Sequence, residues 1–216
     1  MNRALVTFGV AGFEDLLKLA EPGLADYADR HGYTLHTQAP ASLHRPPSWH
    51  KITVLLAALE LYDEALWIDC DTVIVDPSVD LADEIPPAAW QAITVHHTPE
   101  GEVPSAGVWY VRQPAQPVLE AIWRLDQYLH FKWWEQGALQ ELLGYTPKEL
   151  PVRLAEPTDV YRHTHWLGLE WNALALPGHN LDPDARIVHC APGNPIPVRA
   201  QLMQHLTSLT TTGRST

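Results

Sequence analysis

Tyr62-Asp63-Glu64-Ala65-Leu66-Trp67-Ile68-Asp69-Cys70-Asp71 is the stretch on which the reading of this chain turns. Ala65 to Ile68 is an apolar run of strand length, and it leads straight into two aspartates. In an open α/β sheet, ligands gather where the strands end. Residues two apart in an extended segment point to the same side, so both carboxylates can face one site with Cys70 turned away. Like charges held close repel unless a proton or a cation lies between them. Hard oxygen ligands suit magnesium or manganese, and such an ion can neutralise a departing diphosphate. The competing reading of the same residues is a pair of aspartates capping a turn or the next helix.

Working outward, Ala4 to Phe8 reads as a strand ended by Gly9. Phe13 to Gly32 has helical spacing, with Pro22 expected to open a second helix. Tyr33 to Thr37 reads as the next strand, and strand, helix, strand at this spacing predicts a parallel α/β unit. Gln38 to Ser48 reads as a loop, and Trp49 to Leu61 as a helix with Ser48 as its N-cap. Beyond the aspartates come Thr72 to Val75 and Trp90 to Val95 as strands, His96 to Pro104 as a loop, and Gly107 to Val111 as a strand. Pro114 to Leu129 and Trp133 to Leu143 read as helices, the latter closed by Gly144. Pro147 to Pro183 reads as loop, Ala185 to His189 as the last core strand, and Val198 to Leu209 as a terminal helix. The expected fold class is α/β, a mostly parallel central sheet flanked by helices. It forms one domain over residues 1–209, with a flexible tail at 210–216.

Composition narrows the function. The 216 residues carry a formal net charge of −12. That excludes nucleic acid as a partner, because meeting phosphates needs a basic face. An acidic protein that binds a diphosphate needs a local positive charge, and a bound cation is the simplest source. Cys70 and Cys190 are the only cysteines, too few for a disulfide framework, so a reducing, cytoplasmic setting is expected. Met1 to Phe8 reads as the first strand and not as a signal peptide. No apolar stretch approaches the roughly 20 residues of a membrane span.

His189 ends the last predicted strand, followed by a Gly-Asn-Pro loop, and is the one of 12 histidines placed to bring an imidazole to the aspartates. The other reading is a core or surface histidine. Both cysteines adjoin these positions, and both read as buried packing residues.

Ser48-Trp49-His50-Lys51, Leu66 to Asp71, Ser105-Ala106-Gly107-Val108, Trp134-Glu135-Gln136, and His189 with Gly193 after it follow one another along the chain. Together these blocks resemble the galactosyltransferase/mannosyltransferase family that includes plant xyloglucan xylosyltransferases and yeast α-mannosyltransferases, and more broadly the GT-A glycosyltransferases. The resemblance implies a GT-A-like (Rossmann-like) fold and a manganese (or magnesium) cofactor. It implies a nucleotide-sugar donor, a UDP-sugar first and a GDP-sugar second, and a carbohydrate, peptide or small-molecule acceptor. It implies Asp69 at ribose and metal, Asp71 and His189 as metal ligands, and Thr7, Phe8 and Gly9 at the base and ribose. Gln136 falls near the anomeric carbon and Glu135 near the acceptor. Ser105 stands where relatives often carry asparagine, and Glu135 where they often carry aspartate. Arg199 is the candidate for the basic residue at the diphosphate.

Several further residues keep two readings. Lys51 either neutralises phosphate or is a solvated lysine. Trp134 either stacks on a sugar or covers a loop. Asp159 and Trp171, with Asn172, fall in the late loop region where an acceptor would bind, and His97 is a candidate for the cleft wall. Transfer with retention needs no strong nucleophile, with Gln136 as a fixed dipole, and is what the resemblance implies. Inversion would need Glu135 as base. The rival functions are a non-catalytic nucleotide-sugar binder and a metal-dependent phosphohydrolase.

Overall fold

The computed structural model describes residues 2–42, 44–175, 181–190 and 193–213. Its centre is a six-stranded sheet in the order β2-β1-β3-β6-β5-β7. The strands are β1 (Arg3–Val6), β2 (Tyr33–His36), β3 (Glu64–Ile68), β5 (Gln91–Thr98), β6 (Gly101–Arg112) and β7 (Thr164–Leu167). β1 runs parallel to β2 and β3, β5 runs parallel to β7, and β6 alone runs against its neighbours. A second sheet, β4-β9-β8, joins β4 (Thr72–Ile74), β9 (Ile187–His189) and β8 (Ala173–Leu174).

Both faces of the large sheet are covered, and the strand sequences show why. Along β3, Leu66 and Ile68 face one core with Val108 and Tyr110 of β6, while Ala65 and Trp67 face the other with Trp109 and Val111. Such continuously apolar strands can only sit in the middle of a three-layer arrangement. Helices α1 (Glu14–His31) and α6 (Ile196–Gly213) cover the first face. The second face is covered by α2 (His50–Leu61), α3 (Gln116–Arg124) and α4 (Trp134–Leu143).

The structure departs from the sequence reading at several points. Pro22 does not start a helix but lies inside α1. Leu16, Ala20, Leu24, Tyr27 and Ala28 are buried on one side of that helix, while Pro22 is exposed on the other. The missing N–H is therefore lost where the unpaired carbonyl can reach water. Ser48 is not the cap of α2; it lies in a 3-10 turn, Pro47–Trp49, with its hydroxyl buried. His96 to Pro104 is a hairpin, with β5 and β6 joined through Pro99-Glu100. Pro104 is tolerated because this part of β6 extends past the end of β3, so its missing N–H breaks no ladder on that side. The helix expected over Pro114 to Leu129 is α3 between two 3-10 turns, Gln113–Ala115 and Asp126–Tyr128. The expected loop from Pro147 contains α5 (Asp159–Arg162), β7 and β8. α6 runs to Gly213, into the expected tail; residues 214–216 lie outside the described residues. No helix among the described residues is long and apolar enough to cross a membrane.

Candidate metal and sugar-transfer site

Two strand pairings build the site. Asp69 follows β3 directly, and its backbone N–H donates to Gly107 O of β6 at 2.8 Å. Asp71 precedes β4, whose Thr72 pairs with His189 of β9, while Cys190 N–H donates to Asp71 O at 3.0 Å. His189 Nε2 thereby comes within 3.3 Å of Asp71 Oδ1 and 3.7 Å of Asp69 Oδ2. The three side chains form a cluster able to hold a metal ion.

The remaining carboxylate oxygens are spoken for. Asp69 Oδ1 accepts from Trp67 Nε1 at 2.5 Å and lies 3.0 Å from Lys51 Nζ. Asp71 Oδ2 accepts from Arg199 at 2.6 Å. Each aspartate thus has one oxygen fixed by a donor and the other turned toward His189. The imidazole is fixed as well. Its Nδ1–H donates to Asn172 Oδ1 at 3.1 Å, and Asn172 Nδ2 donates to Ser105 Oγ (3.0 Å) and Thr94 Oγ1 (3.2 Å). With Nδ1 donating to Asn172, Nε2 is the atom that faces the two carboxylates, where either a proton or a cation can lie between them. Two oxygens and a lone-pair nitrogen converging on one point suit a hard divalent cation, and the polar residues behind the histidine are what such ligands need to stay in place.

Gly107 is required by this arrangement. A Cβ there would stand 2.6 Å from His189 Nδ1 and 2.7 Å from its Cε1. Electrostatics agree. Burial disfavours the charged form of both Asp71 and His189. His189 and Arg199 nonetheless hold Asp71 down at about 2, and the two aspartates raise His189. Three carboxylates (Asp69, Asp71, Glu135) face two fixed cations (Lys51, Arg199), and His189 is the third group at which positive charge, a proton or a bound cation, offsets them.

Lys51 is neither a solvated lysine nor a free phosphate ligand. It is buried, and its ammonium faces Asp69, Glu135 at 3.3 Å and Ala106 O at 2.8 Å. Three partners occupy three protons, so Lys51 positions the two carboxylates and is not available to a diphosphate. Burial opposes its charge, but Asp69 and Glu135 outweigh it and raise the pKa. Glu135 Oε2 is buried without a partner, and the neighbouring Gln136 Oε1 accepts from Ala106 N–H at 3.1 Å. Trp134, at the start of α4, is 44% exposed with φ of +43°. On the β1 side, Thr7 is buried with an unpartnered hydroxyl, and Phe8 packs edge-on against Trp67 with centroids 5.3 Å apart. Gly9 lies so close to α1 that a Cβ would meet Phe13 O at 2.6 Å.

Three expected residues go elsewhere. Trp171 is wholly buried in the core and donates to Glu84, so it cannot stack on an acceptor. Asp159 sits in the first turn of α5 with an exposed side chain 3.7 Å from His163, and no described contact joins it to the aspartates. His97 points to the outer face, beside a groove lined by Glu102 and Val152; His96 is the inward one. Both cysteines are free and buried, and burial first, with Asp71 beside it, pushes the Cys190 thiol up to about 12. Neither is a thiolate at neutral pH.

Residues 21–113 match the model of the galactosyl transferase GMA12/MNN10 family, a stretch from within α1 to the end of β6. It includes Lys51, Asp69, Asp71 and Gly107, but not Gln136 or His189. No curated protein sequence matches. Among solved structures, the chain is similar to a glycosyltransferase involved in the glycosylation of the major capsid of PBCV-1. The two are 18% identical with a TM-score of 0.69, over 96% of this chain and 100% of that one. It is also similar to the galactosyltransferase LgtC (9% identity, TM-score 0.60, 98% and 96% covered) and to mouse xyloside xylosyltransferase 1 (12%, 0.52, 91% and 100%). The chain has the GT-A fold, and residues 21–113, a little under half of it, match the model of a galactosyl transferase family.

Proposed function

We propose that this chain is a metal-dependent enzyme that moves a sugar from a nucleotide-sugar, a UDP-sugar first and a GDP-sugar second, to an acceptor hydroxyl with retention. The observation that carries this reading is the convergence of Asp69 Oδ2, Asp71 Oδ1 and His189 Nε2, each held by its other atoms. Those three would hold manganese or magnesium. When bound, such an ion supplies positive charge to the departing diphosphate.

The chain's own groups supply the rest. Thr7, Phe8 and Gly9 border the place for base and ribose, and the exposed edge of Arg199 reaches toward the diphosphate. Ser105 holds Asn172 and, through it, His189. Glu135 supports retention over inversion. Lys51 holds its Oε1, while its unpartnered Oε2 can stabilise positive charge developing on the sugar. Ala106 fixes Gln136 through its oxygen, so its NH2 is left to face the reacting groups. A glutamine has a place in the LgtC active site, where one solved variant carries glutamate instead. Trp134 is the candidate acceptor platform. The buried free cysteines are consistent with a reducing, cytoplasmic setting.

A phosphohydrolase with two metals would need a second ligand cluster, and the described residues hold one. The deciding experiment follows UDP-galactose, UDP-glucose, UDP-xylose and GDP-mannose by proton NMR, with and without manganese. Manganese-dependent cleavage of one donor to the α-configured product supports the reading. Binding without any turnover would leave a sugar-nucleotide binder, and a β-configured product would overturn retention.

A further inference from the structure

His96 is the inward-facing polar group that the metal site does not use. It lies on β5, two residues from Thr94, and the register from Thr94↔Ser105 through His96↔Val103 to Thr98↔Gly101 is regular. Alternation along a strand therefore puts Thr94 and His96 on one face. Thr94 bonds Asn172, which bonds His189, so that face underlies the metal centre. The His96 side chain is 8% exposed and its buried Nε2 has no hydrogen-bond partner. A buried imidazole nitrogen left unpaired is costly, and such groups mark places where a ligand completes the bonding. Burial first, and then the nearby His189, push its pKa down to about 4, so the ring is neutral at pH 7 and carries one donor and one acceptor.

We propose that His96 is a specificity-determining residue that hydrogen-bonds a hydroxyl of the donor sugar, an inference that rests on the glycosyltransferase reading. The donor is favoured over the acceptor by position. A sugar joined to the diphosphate must lie within reach of Asp69, Asp71 and His189, and His96 is buried beside the residues that hold His189. Neutral imidazole suits a sugar hydroxyl, which both donates and accepts, better than it suits a phosphate.

The test compares wild type, His96→Phe and His96→Gln by calorimetry in manganese. The ligands are UDP and GDP alone, then UDP-galactose, UDP-glucose, UDP-xylose and GDP-mannose. Phenylalanine fills the same space without a polar nitrogen, and glutamine restores a donor and an acceptor. The expected result is that His96→Phe weakens the preferred nucleotide-sugar about tenfold, as one lost hydrogen bond should, and leaves its bare nucleotide within about twofold. His96→Gln should recover part of the loss. Equal weakening of nucleotide and nucleotide-sugar would make His96 a structural support and overturn the proposal. An unchanged Kd for every ligand would overturn it too, leaving His96 as packing or as a contact to the acceptor. If wild type binds no nucleotide with manganese, the glycosyltransferase reading itself fails, and this shows before any variant is made.

Discussion

Asp69, Asp71 and His189 could be proposed from sequence because each stands at the end of an apolar run, where side-chain direction follows from strand alternation. The contacts that make them a site could not. Asn172 reaches His189, Ser105 and Thr94 across wide separations in the chain, and no local pattern signals such a bond. Trp171 was misplaced for the same reason, since an aromatic residue in an apparent loop looks available until the fold buries it. Two predictions belong at this scale. Gly107→Ala should push the imidazole out of line through the 2.6 Å approach to Nδ1, weakening manganese binding about 10- to 100-fold. Overpacking should also cost about 1–3 kcal/mol. Calorimetry with manganese alone checks the affinity, and unchanged binding would mean that His189 is not a ligand. Lys51→Met strands the buried Glu135 and the half-buried Asp69 and should cost about 3–5 kcal/mol in urea denaturation. Adding Glu135→Gln should recover part of that stability without restoring turnover. If the double variant is no more stable than the single one, the Lys51–Glu135 pairing does not matter to the fold.

At the level of elements, proline shows where a local rule falls short. Pro22 reads as a helix start because that rule is local, whereas the cost of a proline depends on which side of the element loses the N–H. Pro22 loses it on the exposed side of α1, and Pro104 beyond the end of β3. Gly144 was read correctly as the close of α4 because its left-handed φ of +97° is a property of one residue. Proline still carries a penalty in a helix interior, up to about 3 kcal/mol against alanine. Pro22→Ala would restore the N–H for Lys18 O, while the looser unfolded chain gives back about 0.4–1 kcal/mol. With α1 already accommodated to the proline, a net gain of about 1 kcal/mol is expected. That corresponds to about 2–4 °C in Tm for a chain of this size, with donor affinity unchanged. A fall in Tm would show that the ring is packed rather than merely tolerated.

For the whole molecule, the sheet was legible in outline, since apolar strands spaced by helices leave few arrangements. The strands β4 and β9 are expected from sequence; what escapes is β8, only two residues long, and the pairing of all three into a second sheet, which alone carries His189 to Asp71. That pairing joins residues more than 100 apart in the chain, Thr72 to His189, so whatever binds there should stabilise the fold as a unit. The protein's charge of −12 and the three carboxylates at this site together argue that a nucleotide diphosphate binds poorly without a cation. UDP with a chelator should therefore leave the Tm within about 1 °C. With manganese, ligand at 100 times its Kd should add about 2.7 kcal/mol. At about 2–4 °C per kcal/mol, that is a rise of about 5–10 °C. Chelation should reverse it, and Asp71→Asn should abolish it. A shift of equal size with chelator present would mean that protein groups alone hold the diphosphate, with Arg199 released from Asp71 as the first suspect, and the metal reading of this site would fall.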